Sequence, residues 1–164
     1  MRDMAAAVLT AAGIKHLHHA ADGRTGLKAL RSLPIDIAIV DFNMGLIDGL
    51  EFTRLVRTSP QSANPYLPII MMTGHTALQQ VHRARDAGVT EFVSKPISPK
   101  TLLGRVNAVI CNPRRFIKSE TFCGPDRRRS ARGTFKGPER RAVDHCEVEP
   151  TGGVPTPEAV SLEI

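Results

Sequence analysis

The stretch Asp36-Ile37-Ala38-Ile39-Val40-Asp41 decides the fold, because it is a short apolar run that ends on a carboxylate. Two later runs have the same form: Ile69-Ile70-Met71-Met72 ends at Thr73, and Phe92-Val93-Ser94 ends at Lys95-Pro96. Apolar runs of this length, flanked by turn residues and separated by helical patterns, are typical of buried parallel strands. The sequence therefore predicts an α/β fold built on a parallel sheet.

Helical patterns lie between these runs. Asp22 is expected to cap one helix, and Pro99 is expected to open the last one, which runs to about Ile110. A further strand is predicted over Ile14–Ala20, before the first of the three apolar runs. This alternation is expected to wind right-handed into a three-layer α/β/α sandwich.

Three polar side chains follow the three apolar runs, namely Asp41, Thr73 and Lys95. In open sheets of this kind ligands bind at the carboxyl ends of the strands, so these side chains are expected to converge on one edge. A carboxylate could accept a phosphoryl group, while a hydroxyl and an ammonium could bind its oxygens. Each residue alone has an ordinary interpretation as a turn, cap or solvated residue, but the three together favour a phosphoryl site.

Four motifs carry a family resemblance: Asp41-Phe42-Asn43-Met44, Asp48-Gly49-Leu50-Glu51, Met72-Thr73-Gly74 and Ser94-Lys95-Pro96. In this order and spacing they resemble the response-regulator receiver domain of two-component signalling, and they are closest to its single-domain, chemotaxis-type members. The resemblance covers roughly the first two-thirds of the chain. It implies a flavodoxin-like, doubly wound parallel sheet with the strand order 2-1-3-4-5.

The same resemblance implies roles for individual residues. Asp41 would be the phosphoacceptor, Thr73 and Lys95 would contact the phosphoryl group, and Thr73 and Phe92 would form the conformational switch. Lys95-Pro96 would be a cis peptide, and Mg²⁺ would be bound by Asp41 and by the backbone carbonyl of Asn43.

One part of the family pattern is missing from this sequence. Receivers begin with a strand that ends in an acidic pair, whereas Met1 stands where the family's first helix has begun. We therefore expect an N-terminally truncated receiver domain over residues 1–110, with an in-frame extension of about 15 residues upstream. Without the acidic pair, Asp41 and one carbonyl are a poor ligand set for Mg²⁺, so metal binding is expected to be weak.

Composition limits the remaining possibilities. Residues 1–110 hold 12 Lys/Arg against 8 Asp/Glu, residues 111–141 hold 10 against 3, and residues 142–164 hold none against 5. Cys111, Cys123 and Cys146 are odd in number and form no CxxC, which argues against a disulfide scaffold or a zinc site. His16 and His18 share a predicted strand face, but no further ligand lies nearby, so a metal site there is disfavoured. No run is long enough for a membrane helix, which makes the cytoplasm the expected location and a membrane partner unexpected.

Residues 111–164 are predicted to be a disordered tail, basic and then acidic. The tail contains the pattern Phe-x-Gly-Pro-acid-Arg-Arg twice, at a spacing of 13 residues. A second hypothesis makes the repeat a docking element, with aromatic anchors and arginine pairs that bind anions. A third and least favoured hypothesis is nucleic-acid binding. The residues concerned are Phe122, Arg127, Arg128, Phe135, Arg140 and Arg141.

The leading functional hypothesis is a receiver that takes a phosphoryl group onto Asp41 from a histidine kinase or a phosphotransfer protein. Its output would be contact with a downstream protein, and the chain is not expected to be an enzyme in its own right. One alternative is a phosphorylation-independent adaptor that keeps the receiver shape without the magnesium pocket. The other is a nucleic-acid binder that uses the Arg-rich tail.

Overall fold

The computed structural model describes residues 2–74, 78–119, 122–126, 146–148 and 160–163. Nine helices and strands alternate along residues 2–111 of the described chain, and four short strands follow them. In chain order the elements are α1 (Arg2–Ala11), β1 (His16–His19), α2 (Gly23–Ser32), β2 (Ile37–Asp41), α3 (Gly49–Thr58), β3 (Ile69–Thr73), α4 (Leu78–Ala87), β4 (Glu91–Ser94), α5 (Pro99–Cys111), β5 (Phe116–Lys118), β6 (Cys123–Pro125), β7 (Cys146–Val148) and β8 (Val160–Glu163).

A five-stranded sheet in the order β1-β8-β2-β3-β4 forms the middle layer, and all four pairings are parallel. β2, the stretch that opened the sequence analysis, lies inside this sheet, and Ile37, Ala38, Ile39 and Val40 are each at most 1% exposed. A strand covered on both faces needs apolar residues at every position, which explains the continuous run. The predicted α/β/α sandwich is confirmed.

Two apolar layers cover the two faces of the sheet. On one face, Ile37 and Ile39 pack in a buried cluster with residues of α1 and α5, including Leu9 and Leu102. On the other face, Ala38 and Val40 pack in a second cluster with Phe52 and Val56 of α3 and with the apolar stripe of α2. The alternation of side chains along β2 thus supplies both layers.

The predicted helix starts agree with the structure. Asp22 caps α2 and forms a capping box with Thr25, and Ser98 caps α5 with Pro99 in its first turn. The strand predicted over Ile14–Ala20 is shorter, because the backbone N–H of Ile14 donates to the carbonyl of Leu9 and closes the end of α1. Gly13 makes this turn at a φ of +92°, which favours glycine.

The prediction that residues 111–164 are a disordered tail does not hold for the described strands of that region. β5 pairs antiparallel with both β6 and β7. Phe116 and Cys123 are 3% and 6% exposed, so burial of apolar surface holds β5 and β6 against the domain. Composition favoured disorder, but these two side chains are enough to anchor a short sheet.

The sequence predicts that the family's first strand, which is central in the order 2-1-3-4-5, is missing from this chain, and the structure has a different strand in that place. Between β1 and β2, where the resemblance places the family's first strand, the structure has β8. In this arrangement Leu162 is level with His18 on one side and with Ala38 on the other. A segment more than a hundred residues further along the chain therefore takes the central position.

Candidate functional site

Asp41 and Lys95 form the centre of the candidate site. The Lys95 ammonium lies 2.5 Å from Oδ2 of Asp41, and the two side chains are 19% and 28% exposed. The Lys95 backbone N–H donates to the carbonyl of Thr73 at 2.8 Å, which fixes the start of the loop after β4. The Lys95–Pro96 bond, which the resemblance implied to be cis, is cis. The pair is therefore shielded but still accessible to an incoming group.

Thr73 and Phe92 lie on the strands beside Asp41. Asp41 is level with Met72, so Thr73 is the next residue along β3, and it is 6% exposed. Phe92 of β4 is level with Met71 of β3 and is half-buried beside α4. Thr73 and Phe92 line one small pocket together.

The loop after β2 is held close to Asp41 by the start of α3. The Asn43 backbone N–H donates to Oδ1 of Asp41 at 3.1 Å. Asp48 caps α3, and Gly49 packs so tightly that a Cβ atom there would lie 2.6 Å from the backbone carbonyl of Asp41. Glycine at position 49 therefore allows the helix to begin against the end of the strand. Within this loop Leu46 is fully exposed.

Comparison with known proteins identifies this arrangement. The family description "response regulator receiver domain" matches residues 1–107. The chain belongs to this family. A probable chemotaxis protein CheY of Rhizobium etli is 34% identical over 101 residues, which cover 62% of this chain and 77% of that protein. The chemotaxis response regulator CheY4 of Vibrio cholerae has a similar structure, with a TM-score of 0.60 and 33% identity over 66% of this chain and 88% of that one.

A second relative is matched over a smaller share of its own length. The heme response regulator HssR of Staphylococcus haemolyticus is 37% identical over 91 residues, which cover 55% of this chain but 38% of that protein. Receivers are signalling proteins rather than classical enzymes, and the predicted family and flavodoxin-like fold are confirmed. Within the described residues, no helix has the length and apolar character needed to cross a membrane.

Receiver domains generally bind Mg²⁺, but the described residues of this receiver do not form a complete magnesium site. Of the predicted ligands, Asp41 offers a carboxylate that already pairs with Lys95, and Asn43 offers a backbone carbonyl. In the described part of the chain no three His, Cys, Asp or Glu side chains are grouped closely enough to hold a metal. Mg²⁺ requires near-octahedral oxygen coordination, and these donors do not supply it.

Of the docking residues predicted in the tail, Phe122 lies within the described part of the chain. Phe122 lies at the turn between β5 and β6, where its N–H donates to Oγ of Ser119 at 3.1 Å and its ring covers Gly124. This contact gives Phe122 a structural role in the turn. The other predicted docking residues, which are Arg127, Arg128, Phe135, Arg140 and Arg141, lie outside the described residues.

Arg57 is an important residue that the sequence analysis missed. It is 4% exposed, and its guanidinium donates to the carbonyl of Gly88 at 3.0 and 2.9 Å and to that of Pro65 at 2.7 Å. It also lies 5.0 Å from the ring centre of Phe116. Burial lowers the pKa of Arg57 to about 9, so the group remains a cation at neutral pH. The available signal was its place on the buried face of α3, one turn after Thr53.

Proposed function

We propose that this receiver accepts one phosphoryl group on Asp41 from a histidine kinase or a phosphotransfer protein. The observation that carries the proposal is the contact between Lys95 Nζ and Asp41 Oδ2 at the carboxyl edge of the sheet. A lysine held this close to a partly exposed carboxylate can offset the negative charge that arrives with a phosphoryl group. Thr73, on the strand between them, supports the same assignment.

The reaction would proceed by displacement at phosphorus. A carboxylate oxygen of Asp41 forms the new O–P bond as the P–N bond to the donor histidine breaks, and the imidazole leaves with the electron pair. Lys95 would move from Oδ2 to a phosphoryl oxygen, and the Thr73 hydroxyl would donate to another. The Asn43 N–H holds Oδ1, which favours attack by the other oxygen.

Output would follow from the coupling between Thr73 and Phe92. Because the two side chains line the same small pocket, movement of the hydroxyl toward a phosphoryl oxygen opens space for the ring. Phe92 lies between α4 and α5 in sequence, so the surface of these helices would change with it. A downstream protein that binds this surface would read the phosphorylation state.

Intact-mass measurement after treatment with acetyl phosphate, with and without Mg²⁺, tests the assignment. The full chain is compared with Asp41→Asn and with Asp36→Asn, which makes the same change at the exposed residue immediately before β2. We expect one phosphoryl group on the wild type and on Asp36→Asn, and none on Asp41→Asn. Equal labelling of all three proteins would reject Asp41 as the acceptor.

A second candidate is a phosphorylation-independent adaptor, which the incomplete magnesium ligand set among the described residues favours. In this case none of the three proteins would be labelled. Asp41→Asn would then bind the downstream protein as tightly as the wild type does, and the Lys95 contact would be purely structural.

A further inference from the structure

We propose that the cleft between β1 and β2 is a binding site for a parallel, extended peptide strand, and that residues 160–163 of this chain are its ligand. The structure seats Val160–Glu163 in the cleft, hydrogen-bonded as a strand to both neighbours. This inference concerns the architecture of the domain and does not depend on phosphorylation of Asp41.

The sheet topology makes β8 the connection between β1 and the rest of the sheet. In the order β1-β8-β2-β3-β4, β1 pairs with β8 and with no other described strand. Neighbouring strands lie about 4.8 Å apart, so β1 and β2 are separated by about 10 Å, which is too far for direct hydrogen bonds. Without a strand between them, the ladder edges of β1 and β2 that face the cleft would lose their partners.

Burial makes such a vacancy costly. Ile37, Ala38 and Ile39, the residues of β2 that are level with β8, are at most 1% exposed. A buried backbone group without a partner costs about 1–3 kcal/mol. An empty cleft would either leave these groups without partners or admit water between the apolar layers on both sides of β2. The cleft therefore favours an occupying strand, and the strand that occupies it runs parallel to both of its edges.

β8 joins the five-stranded sheet, whereas β5, β6 and β7, the strands that precede it in the chain, form a separate antiparallel sheet. Residues 149–159 connect β7 to β8, so it is the pairing with β1 and β2 that holds β8 in the cleft. Parallel pairing also places no demand for a tight turn on the connection. The ligand class is thus a short strand-forming peptide, which the tail supplies within the same molecule.

Hydrogen exchange on the unmodified full chain is the first test. Amides of residues 161–163 should exchange at least about 100-fold more slowly than those of a free peptide of residues 158–164. Their exchange rates should also match those of the β1 amides, because the two strands would open together. Exchange of 161–163 at the rate of the free peptide would overturn the proposal. A molecular mass equal to one chain is expected, and a twofold mass would assign the strand to a second copy instead.

Proline variants and peptide addition form the second test. Leu162→Pro removes an N–H from the middle of β8, whereas Thr156→Pro adds a proline between Pro155 and Pro157, outside the strand. Leu162→Pro should lose protection in β1, and the peptide of residues 158–164 should restore it while a scrambled peptide does not. Two results would reject a separable strand site. The first is equal protection of β1 in the two variants, and the second is a loss of protection in Leu162→Pro that the peptide does not restore.

Discussion

Replacement of Arg57 tests how the β5–β6 segment is attached to the receiver. In Arg57→Met the side chain keeps a similar length but loses three N–H donors, which serve the carbonyls of Gly88 and Pro65. The buried carbonyl of Gly88 left without its donors costs about 1–3 kcal/mol, the partly buried carbonyl of Pro65 costs less, and the contact with the Phe116 ring adds about 1 kcal/mol. Methionine recovers part of this because it carries no charge to desolvate. The expected net loss is about 2–4 kcal/mol in the free energy of unfolding.

The Arg57→Lys variant is expected to be less stable than Arg57→Met, although it keeps the charge. Burial lowers the pKa of Arg57, so a cation at this position costs free energy that its hydrogen bonds must offset. A single ammonium cannot reproduce the fork that reaches two carbonyls, and the desolvation cost remains. The conservative replacement therefore loses bonds without removing the charge.

Urea denaturation followed by far-ultraviolet circular dichroism measures these differences, and the sequence has no tryptophan to offer a fluorescence probe. Arg54→Met is the matched control. Arg54 is on the same helix, its side chain is 55% exposed, and its contact with Glu51 is 3.9 Å long. We expect a change below about 0.5 kcal/mol for the control. An Arg57→Lys variant as stable as the wild type would refute the reasoning.

Three further predictions concern single positions. Asp22→Ala should lower the melting temperature at pH 7, because hydrogen bonds from Thr25 stabilise the ionised cap and lower the pKa of Asp22 below its ordinary value of 3.8. The difference in melting temperature between variant and wild type should shrink as the pH falls from 3.8 through the lowered pKa, where the cap is protonated. A difference that stays constant with pH would contradict this. Gly88→Ala should lower the free energy of unfolding by more than Gly13→Ala, which should cost about 1–2 kcal/mol. Both glycines have φ above +90°, but only at position 88 would a Cβ collide with another atom, the carbonyl oxygen of Cys123 at 2.7 Å. Equal losses in the two variants would count against this reasoning. A thiol reagent should label exposed Cys111 well before buried Cys123, because burial also raises the pKa of the Cys123 thiol. Peptide mapping measures the two labelling rates. Similar rates would show that Cys123 is accessible.

The parts of the fold that could be predicted are those in which local pattern and tertiary environment agree. β2 and β3 lie inside the sheet, and burial on both faces demands the apolar runs that the sequence shows. The meeting of Asp41 with Lys95 followed from parallel strands alone, because all such strands end at one edge. The first inference needs only the segment itself, and the second needs only the parallel direction of the strands.

The remaining parts depend on contacts between distant segments. Val160–Glu163 is four residues long, and its sequence does not indicate that it pairs with β1 and β2. β5 and β6 are three residues each, too short for a periodic signal. Arg57 looked like an ordinary helix residue, because its buried partners are carbonyls of Pro65 and Gly88, which side-chain identity does not reveal.

The central position of β8 links the tail to the phosphoacceptor site. β2 carries Asp41 at its end, and its two neighbours in the sheet are β3, which carries Thr73, and β8. A chain cut after Ile110 keeps Asp41, Thr73 and Lys95 but loses β8, so we expect its β1 to detach and its reaction with acetyl phosphate to fall with the loss of sheet order. A deletion of residues 131–140, which leaves every described strand in the chain, should react like the wild type. If the chain cut after Ile110 reacts and resists urea as the full chain does, then the sheet does not depend on β8, and the tail and the site are independent.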